Sequence, residues 1–261
     1  MTRQWQPPDN HLITLDRARE LLSGELGKVY RKILMECCAP FHWSRRIGNK
    51  LDLCSNGTLT IVRTSERLIG VTARHVVQGY LDAREVHPVV LQVMSAEVRD
   101  LNIIAMSSKG LDLATIELDE ELLAKLGKAI VPLSGWPPLA PEEGRGIMLA
   151  GYPGGERIFS AGSINWGLFT ALGVARVVTH DQITWTVERE YEMQDASIPS
   201  LPPQADLGGV SGGPVVGWFE TASGITQYRL CGIISQASAM LENVVAKRAE
   251  FIMPDGSVRE P

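Results

Sequence analysis

The residues best suited to chemistry gather around one glycine-rich block, Gly209-Val210-Ser211-Gly212-Gly213-Pro214. A serine alcohol is a poor nucleophile. It becomes useful when its oxygen stands on a sharp turn, beside a base and beside backbone N–H groups aimed at a developing oxyanion. Glycines on both sides of Ser211 permit that turn. The histidines are His11, His42, His75, His87 and His180, all upstream of Ser211. His75 lies in Val71-Thr72-Ala73-Arg74-His75-Val76-Val77, where an apolar strand gives way to a helical turn, and it is the base this pattern selects. The other four carry no motif and are expected in solvated or turn positions. Between His75 and Ser211 lie Asp82, Asp100, Asp112, Asp119, Asp181, Asp195 and Asp206. Only Asp112 is set in an apolar strand start, Leu111-Asp112-Leu113-Ala114-Thr115-Ile116. An unpartnered carboxylate buried there would cost several kcal/mol, and an imidazole N–H would satisfy it.

Chain order narrows the chemistry. The serine block also satisfies G-x-S-x-G, the nucleophile turn of α/β-hydrolases, but in those enzymes the histidine follows the serine. A subtilisin-like order needs Asp before His on a largely parallel sheet, which the short hairpin-like strands do not support. The order left is His, Asp, Ser. Thr72-Ala73-Arg74-His75, Asp112-Leu113-Ala114 and the serine block together resemble the three signature blocks of trypsin-like (chymotrypsin-fold) serine peptidases, over about Leu51 to Ala237.

That resemblance implies a serine endopeptidase that hydrolyses peptide bonds of protein substrates through an acyl-enzyme, with no metal and no cofactor. Ser211 would be the nucleophile, His75 the base and then the acid, and Asp112 the group that orients the imidazole. The backbone N–H groups of Gly209 and Ser211 would form the oxyanion hole. Ser235, Gln236 and Ala237, in the strand after the serine block, would line the substrate cleft, with the substrate backbone adding as a strand. Counting back from Ser211, Ala205 would form the floor of the specificity pocket, with Asp206 beside it. Three features depart from animal trypsins. Val210 replaces the aspartate that meets a freed N-terminus, Val76 replaces a cysteine, and Ala205 does not carry over a preference for basic residues. The alternative implied by the same blocks is a catalytically silent relative that grips a peptide or scaffolds an assembly. Leu149-Ala150-Gly151-Tyr152-Pro153-Gly154 also resembles a strand and turn of bacterial members.

These groups need a scaffold, and the chain supplies the pattern of one. Residues from about Leu15 to Met35 show helical spacing, with Thr14 as a cap. From Leu51 the pattern changes to short β-branched or alternating runs. Pro137, Pro138 and Pro141 make Ser134 to Glu143 a linker. Such a pattern suits two small antiparallel barrels or one sandwich. The resemblance selects an all-β fold of two antiparallel six-stranded-type β-barrels with an N-terminal helical extension. The expected divisions are 1–50 (extension), 51–133 (first barrel, with His75 and Asp112), 134–143 (linker), 144–240 (second barrel, with Ser211) and 241–261 (C-terminal segment, a helix plus tail).

Composition sets the outer bounds. The 261 residues carry Lys+Arg 25 against Asp+Glu 30, a net charge of −5, which disfavours a nucleic-acid partner. No apolar run is long enough for a spanning helix, so no membrane partner is expected. The N-terminal residues lack the succession of a secretory signal. Cys37, Cys38, Cys54 and Cys231 form no C-x-x-C pair or disulfide framework. A reducing, cytoplasmic setting is therefore expected, with the cysteines as inert thiols. The expected partner is a protein or peptide substrate, with a regulatory protein able to dock on the N-terminal helix or C-terminal tail.

Overall fold

The computed structural model describes residues 24–47, 50–128, 137–160, 163–186, 207–220, 226–238 and 243–261. It is mostly antiparallel β, built as two curled half-barrel sheets with few helices. The first sheet contains β1 (Cys38–Ile47), β2 (Lys50–Arg63), β3 (Leu68–Ala73), β4 (Val89–Val93), β5 (Ala96–Val98), β6 (Ile103–Met106) and β7 (Leu113–Glu117), in the order β5-β4-β1-β2-β3-β7-β6. The second contains β8 (Gly146–Gly151), β11 (Phe169–Val174), β12 (Val177–Val178), β13 (Gln182–Thr186), β14 (Pro214–Glu220), β15 (Thr226–Ser238) and β16 (Asn243–Arg248), in the order β11-β8-β14-β15-β16-β13-β12. A separate hairpin joins β9 (Arg157–Ser160) to β10 (Ser163–Trp166). Among the described residues each main sheet has seven strands, where six were expected.

Side-chain alternation explains the layering. In β13, Ile183 and Trp185 are buried while their neighbours are half-buried, the period-2 pattern of a strand with one face on a core. They join Ile147, Leu149, Phe169, Val215 and Val244 in the second core. β3 is buried along its whole length, as a near-continuous apolar strand covered on both faces should be. Its Ile69 and Val71, with Leu111 and Leu113, meet Leu230, Ile233, Phe251 and Ile252 between the two sheets.

The helices lock the sheets together. Helix α1 (Glu25–Glu36) has one apolar stripe. Leu34 packs with Met148, Ala150, Tyr152 and Val216 on the outer face of the second sheet, and the Tyr30 ring lies 5.3 Å from that of Trp218. The chain then passes directly into β1 of the first sheet. The last residues make the reverse crossing. Beyond β16, Phe251, Ile252 and Val258 cover the first sheet, and the Thr64 and Thr115 hydroxyls donate to Pro254 O and Gly256 O, each at 2.5 Å.

Two divisions expected from the sequence are therefore corrected. The helical extension ends at Glu36, because Cys38–Ile47 is a strand paired with β2 and β4. The second sheet continues to Arg248, because Asn243–Arg248 pairs with β13 and β15 instead of forming a helix. Thr14, His11 and the start of the expected first helix lie outside the described residues. No described helix is long and apolar enough to cross a membrane.

Candidate active site

His75 owes its position to a strand-to-helix junction. β3 ends at Ala73, whose extended backbone (φ −72°, ψ 141°) starts α2 (Arg74–Val86) with no side-chain cap of its own. Asp112 takes that role from across the sheet. Its carbonyl accepts Arg74 N–H at 3.0 Å, and its Oδ1 accepts His75 N–H at 2.9 Å, satisfying two donors of the first helical turn. The other carboxylate oxygen, Oδ2, lies 2.9 Å from His75 Nδ1. One aspartate therefore fixes both the backbone and the ring of His75.

Asp112 is itself tightly held. Its φ of 51° is left-handed, a conformation shared only with Met94 among described non-glycine residues and tolerated better by Asp than by most side chains. Asp112 N–H donates to Ser108 O at 3.0 Å, and Leu113 N–H donates to Ser107 Oγ at 2.8 Å. Ser235 Oγ donates to Asp112 Oδ2 at 2.6 Å. Burial pushes the carboxyl pKa up, but hydrogen bonds from the His75 ring and Ser235, with the imidazole's charge and the His75 N–H, bring it below its ordinary value. The group is ionised at neutral pH and can only accept hydrogen bonds, so Nδ1 carries a proton, and in the neutral imidazole it is Nε2 that bears the lone pair.

Ser211 stands on a turn that only glycines allow. Gly209 and Gly212 have φ of +103° and +92°. A Cβ on Gly209 would fall 2.2 Å from Asn56 Nδ2, and one on Gly212 would fall 2.0 Å from Thr58 O. In the turn, Val210 N–H bonds Leu207 O, Gly212 N–H bonds Ile234 O and Gly213 N–H bonds Val210 O. The N–H groups of Gly209 and Ser211 have no backbone partner among the described residues. Val210 itself is buried in the second core, so the residue before Ser211 makes an apolar contact.

His75, Asp112, Ser211 and Ser235 face one open cleft of about 670 Å³, rimmed by Arg74, Gln78, Asp82, Lys109, Gln236 and Ala237. His75 is half-exposed, at 52%, against 12% for Asp112. Ser211 Oγ donates to Ser235 O at 3.2 Å, not to the imidazole. The expected row of three is thus closed at its His75–Asp112 link and open at its serine. A hydroxyl turns among staggered rotamers at little cost, and such bonds often form only once a substrate is seated.

Ser235 was expected as a cleft-lining residue, and it does more. It is skipped in the pairing of β15 with β16, which runs from Ile234↔Ala246 to Gln236↔Val245. That bulge turns both its hydroxyl and its carbonyl into the site. Residues 235–238 have β16 on one side, while the pairing of β14 with β15 stops at Ile233. Among the described residues, a strand edge therefore lies unpaired beside the cleft at Gln236 and Ala237. Ala205 and Asp206 lie outside the described residues.

Sequence reasoning missed the threonines beneath the serine loop. Thr58 N–H donates to Ser211 O at 2.8 Å, Thr60 Oγ1 to Gly212 O at 2.7 Å, and Thr72 Oγ1 to Thr58 O at 2.7 Å. The alternation Thr58-Leu59-Thr60-Ile61 was the available signal, a strand with one hydroxyl face and one apolar face. His42, expected to be solvated, is 2% exposed. Its Nε2 lies 2.9 Å from Met94 O, and its ring centre is 4.9 Å from that of Trp166.

Comparison with known proteins gives no matching family model and no matching curated protein. The roles of these residues rest on their geometry and chemistry.

Proposed function

We propose that this chain is a serine endopeptidase of the chymotrypsin fold, cutting protein substrates without metal or cofactor. The observation that carries the reading is the ionised Asp112, which accepts the Nδ1–H hydrogen bond of His75 in a cleft shared with Ser211, so that Nε2 of the neutral ring is the nitrogen left to act as base. The substrate would enter as an extended strand along the open edge at 235–238. As Ser211 Oγ leaves the Ser235 carbonyl and attacks the peptide carbonyl carbon, His75 Nε2 takes its proton and the π pair moves onto oxygen. The resulting anion would accept hydrogen bonds from the N–H groups of Gly209 and Ser211, and Asp112 would stabilise the imidazolium. Collapse breaks the C–N bond as Nε2–H gives its proton to the departing amine. Water then repeats the sequence on the acyl-enzyme, releasing the acid and restoring Ser211.

Burial of Val210 supports an enzyme that does not need a freed N-terminus for activation. The buried free thiols of Cys37, Cys38 and Cys231 suit a reducing, cytoplasmic setting. One observation favours the second reading, a silent peptide-binding relative: the Ser211 hydroxyl is bonded to Ser235 O and not to the base.

A fluorophosphonate probe, which loses fluoride to an activated serine oxygen, separates the two. The folded chain should be labelled and Ser211→Ala should not, with peptide hydrolysis falling about 10⁶-fold in the variant. An unlabelled, folded chain that still binds peptides would establish the silent reading.

A further inference from the structure

The Gly209 N–H, which has no backbone partner among the described residues, can receive an anion only if its peptide keeps its present orientation. In a trans peptide the N–H points opposite to the C=O. The Gly208 carbonyl accepts Gly154 N–H at 2.7 Å, so the Gly209 N–H of the same peptide is turned away from Gly154. The next carbonyl, Gly209 O, accepts the Thr58 hydroxyl at 2.8 Å. A flip at Gly208–Gly209 would break the bond from Gly154, while the Thr58 bond pins the adjoining Gly209–Val210 peptide, whose N–H already bonds Leu207 O, so Gly209 is held from both sides.

Both anchors trace to β2 of the first sheet. Buried Thr58 Oγ1 donates to Gly209 O and accepts Tyr152 N–H at 2.9 Å. Asn56 Nδ2 donates to Tyr152 O at 2.8 Å and lies against Gly209 so closely that no Cβ fits there. Tyr152 precedes Pro153, whose fixed φ sets the direction of Gly154. Asn56 and Thr58 thereby grip both the serine loop and the corner that supplies Gly154 N–H.

We propose that Asn56 and Thr58 are positioning residues that hold the Gly209 N–H ready for the oxyanion, so that the first sheet sets the electrophilic half of a site carried on the second. The inference rests on the peptidase reading. It makes the Thr58 side chain, outside the sequence motifs, a determinant of turnover and not of peptide affinity.

The test is Thr58→Val, which keeps the shape and removes the hydroxyl, beside Thr58→Ser, which keeps it. Thr58→Val should lower kcat and the rate of fluorophosphonate labelling by about 10²-fold, the loss typical of one missing oxyanion donor. KM should stay the same, and Thr58→Ser should restore kcat to within a few-fold. Peptide affinity, measured in a Ser211→Ala background, should not change with Thr58→Val. Asn56→Ala, at a half-buried position, serves as the second variant should Thr58→Val fail to fold, and it should lower kcat in the same selective way. Unchanged kcat in folded variants, or KM and affinity weakening together with kcat, would overturn the proposal while leaving the peptidase reading intact. Absence of labelling in the unaltered chain would remove both.

Discussion

Replacing Asp112 by Asn changes one charge and little else, which makes it the sharpest probe of the site. The left-handed φ of 51° suits Asn as well as Asp, so no backbone strain is added, whereas Ala would add about 1–2 kcal/mol. The carboxylate accepts three hydrogen bonds, from His75 N, His75 Nδ1 and Ser235 Oγ. An amide has one oxygen, so at least one of these contacts turns into donor against donor unless the imidazole moves its proton to Nε2. That tautomer cannot take the Ser211 proton, and kcat should fall about 10⁴-fold, as in the corresponding change in a known triad. Hydrogen bonds to a charged group contribute about 1.5–3 kcal/mol each. Set against the relief of a partly buried charge, the net loss of stability at pH 7 should be about 2 kcal/mol.

The pH dependence gives an independent check. The folded Asp112 pKa is depressed, so its contribution is fully present above the unfolded aspartate value of about 3.9 and disappears as pH falls through the lower folded value. Urea unfolding at pH 7 and at stepwise lower pH should show the gap between the native chain and Asp112→Asn closing in acid. A gap that persists unchanged into strong acid, or an Asp112→Asn variant with native kcat, would refute the reasoning.

Two further outcomes follow from the packing. Leu34→Ala should cost about 2–5 kcal/mol, seen as a lower urea midpoint, because Leu34 is fully buried between α1 and the second sheet. A loss below 1 kcal/mol would mean that α1 is not docked there. Burial pushes the Cys38 thiol up to about 12, and the Cys37 and Cys231 thiols upward as well. Iodoacetamide at pH 8 should therefore modify these three only after denaturation; rapid alkylation of native protein would contradict their burial.

The catalytic candidates were legible because each sits in a short block whose neighbours betray its setting. Asp112 could be singled out among the aspartates by its apolar flanks, and the structure gives it four partners in His75, Ser235, Arg74 and Ser108. The misses have physical reasons. β1 escaped notice because Cys37-Cys38-Ala39-Pro40 has no alternation, and its pairing is decided by β2 and β4. β16 resembled a helix and tail because residues 241–261 mix apolar and charged types without clear alternation. Within the strand Lys247 is 9% exposed and its ammonium reaches Asp181 at 3.2 Å. Helix α3 (Glu120–Leu126) carries plain local signals, with Asp119 accepting Leu122 N–H as its cap and Gly127 ending it at φ 59°. Thr58 was illegible for a deeper reason. Its importance comes from Gly209, about 150 positions away, and no local pattern encodes a partner at that distance.

The crossed ends of the chain carry one more consequence. Each half of the molecule is roofed by sequence belonging to the other: α1 enters the first sheet after covering the second, and Phe251 to Val258 cover the first after leaving the second. A cut through the inter-sheet connection would therefore yield two fragments, each with a bare greasy face and each carrying its sibling's missing roof. Such pieces should be poorly soluble apart and should reassemble when mixed, the behaviour of a split protein and not of two beads on a string.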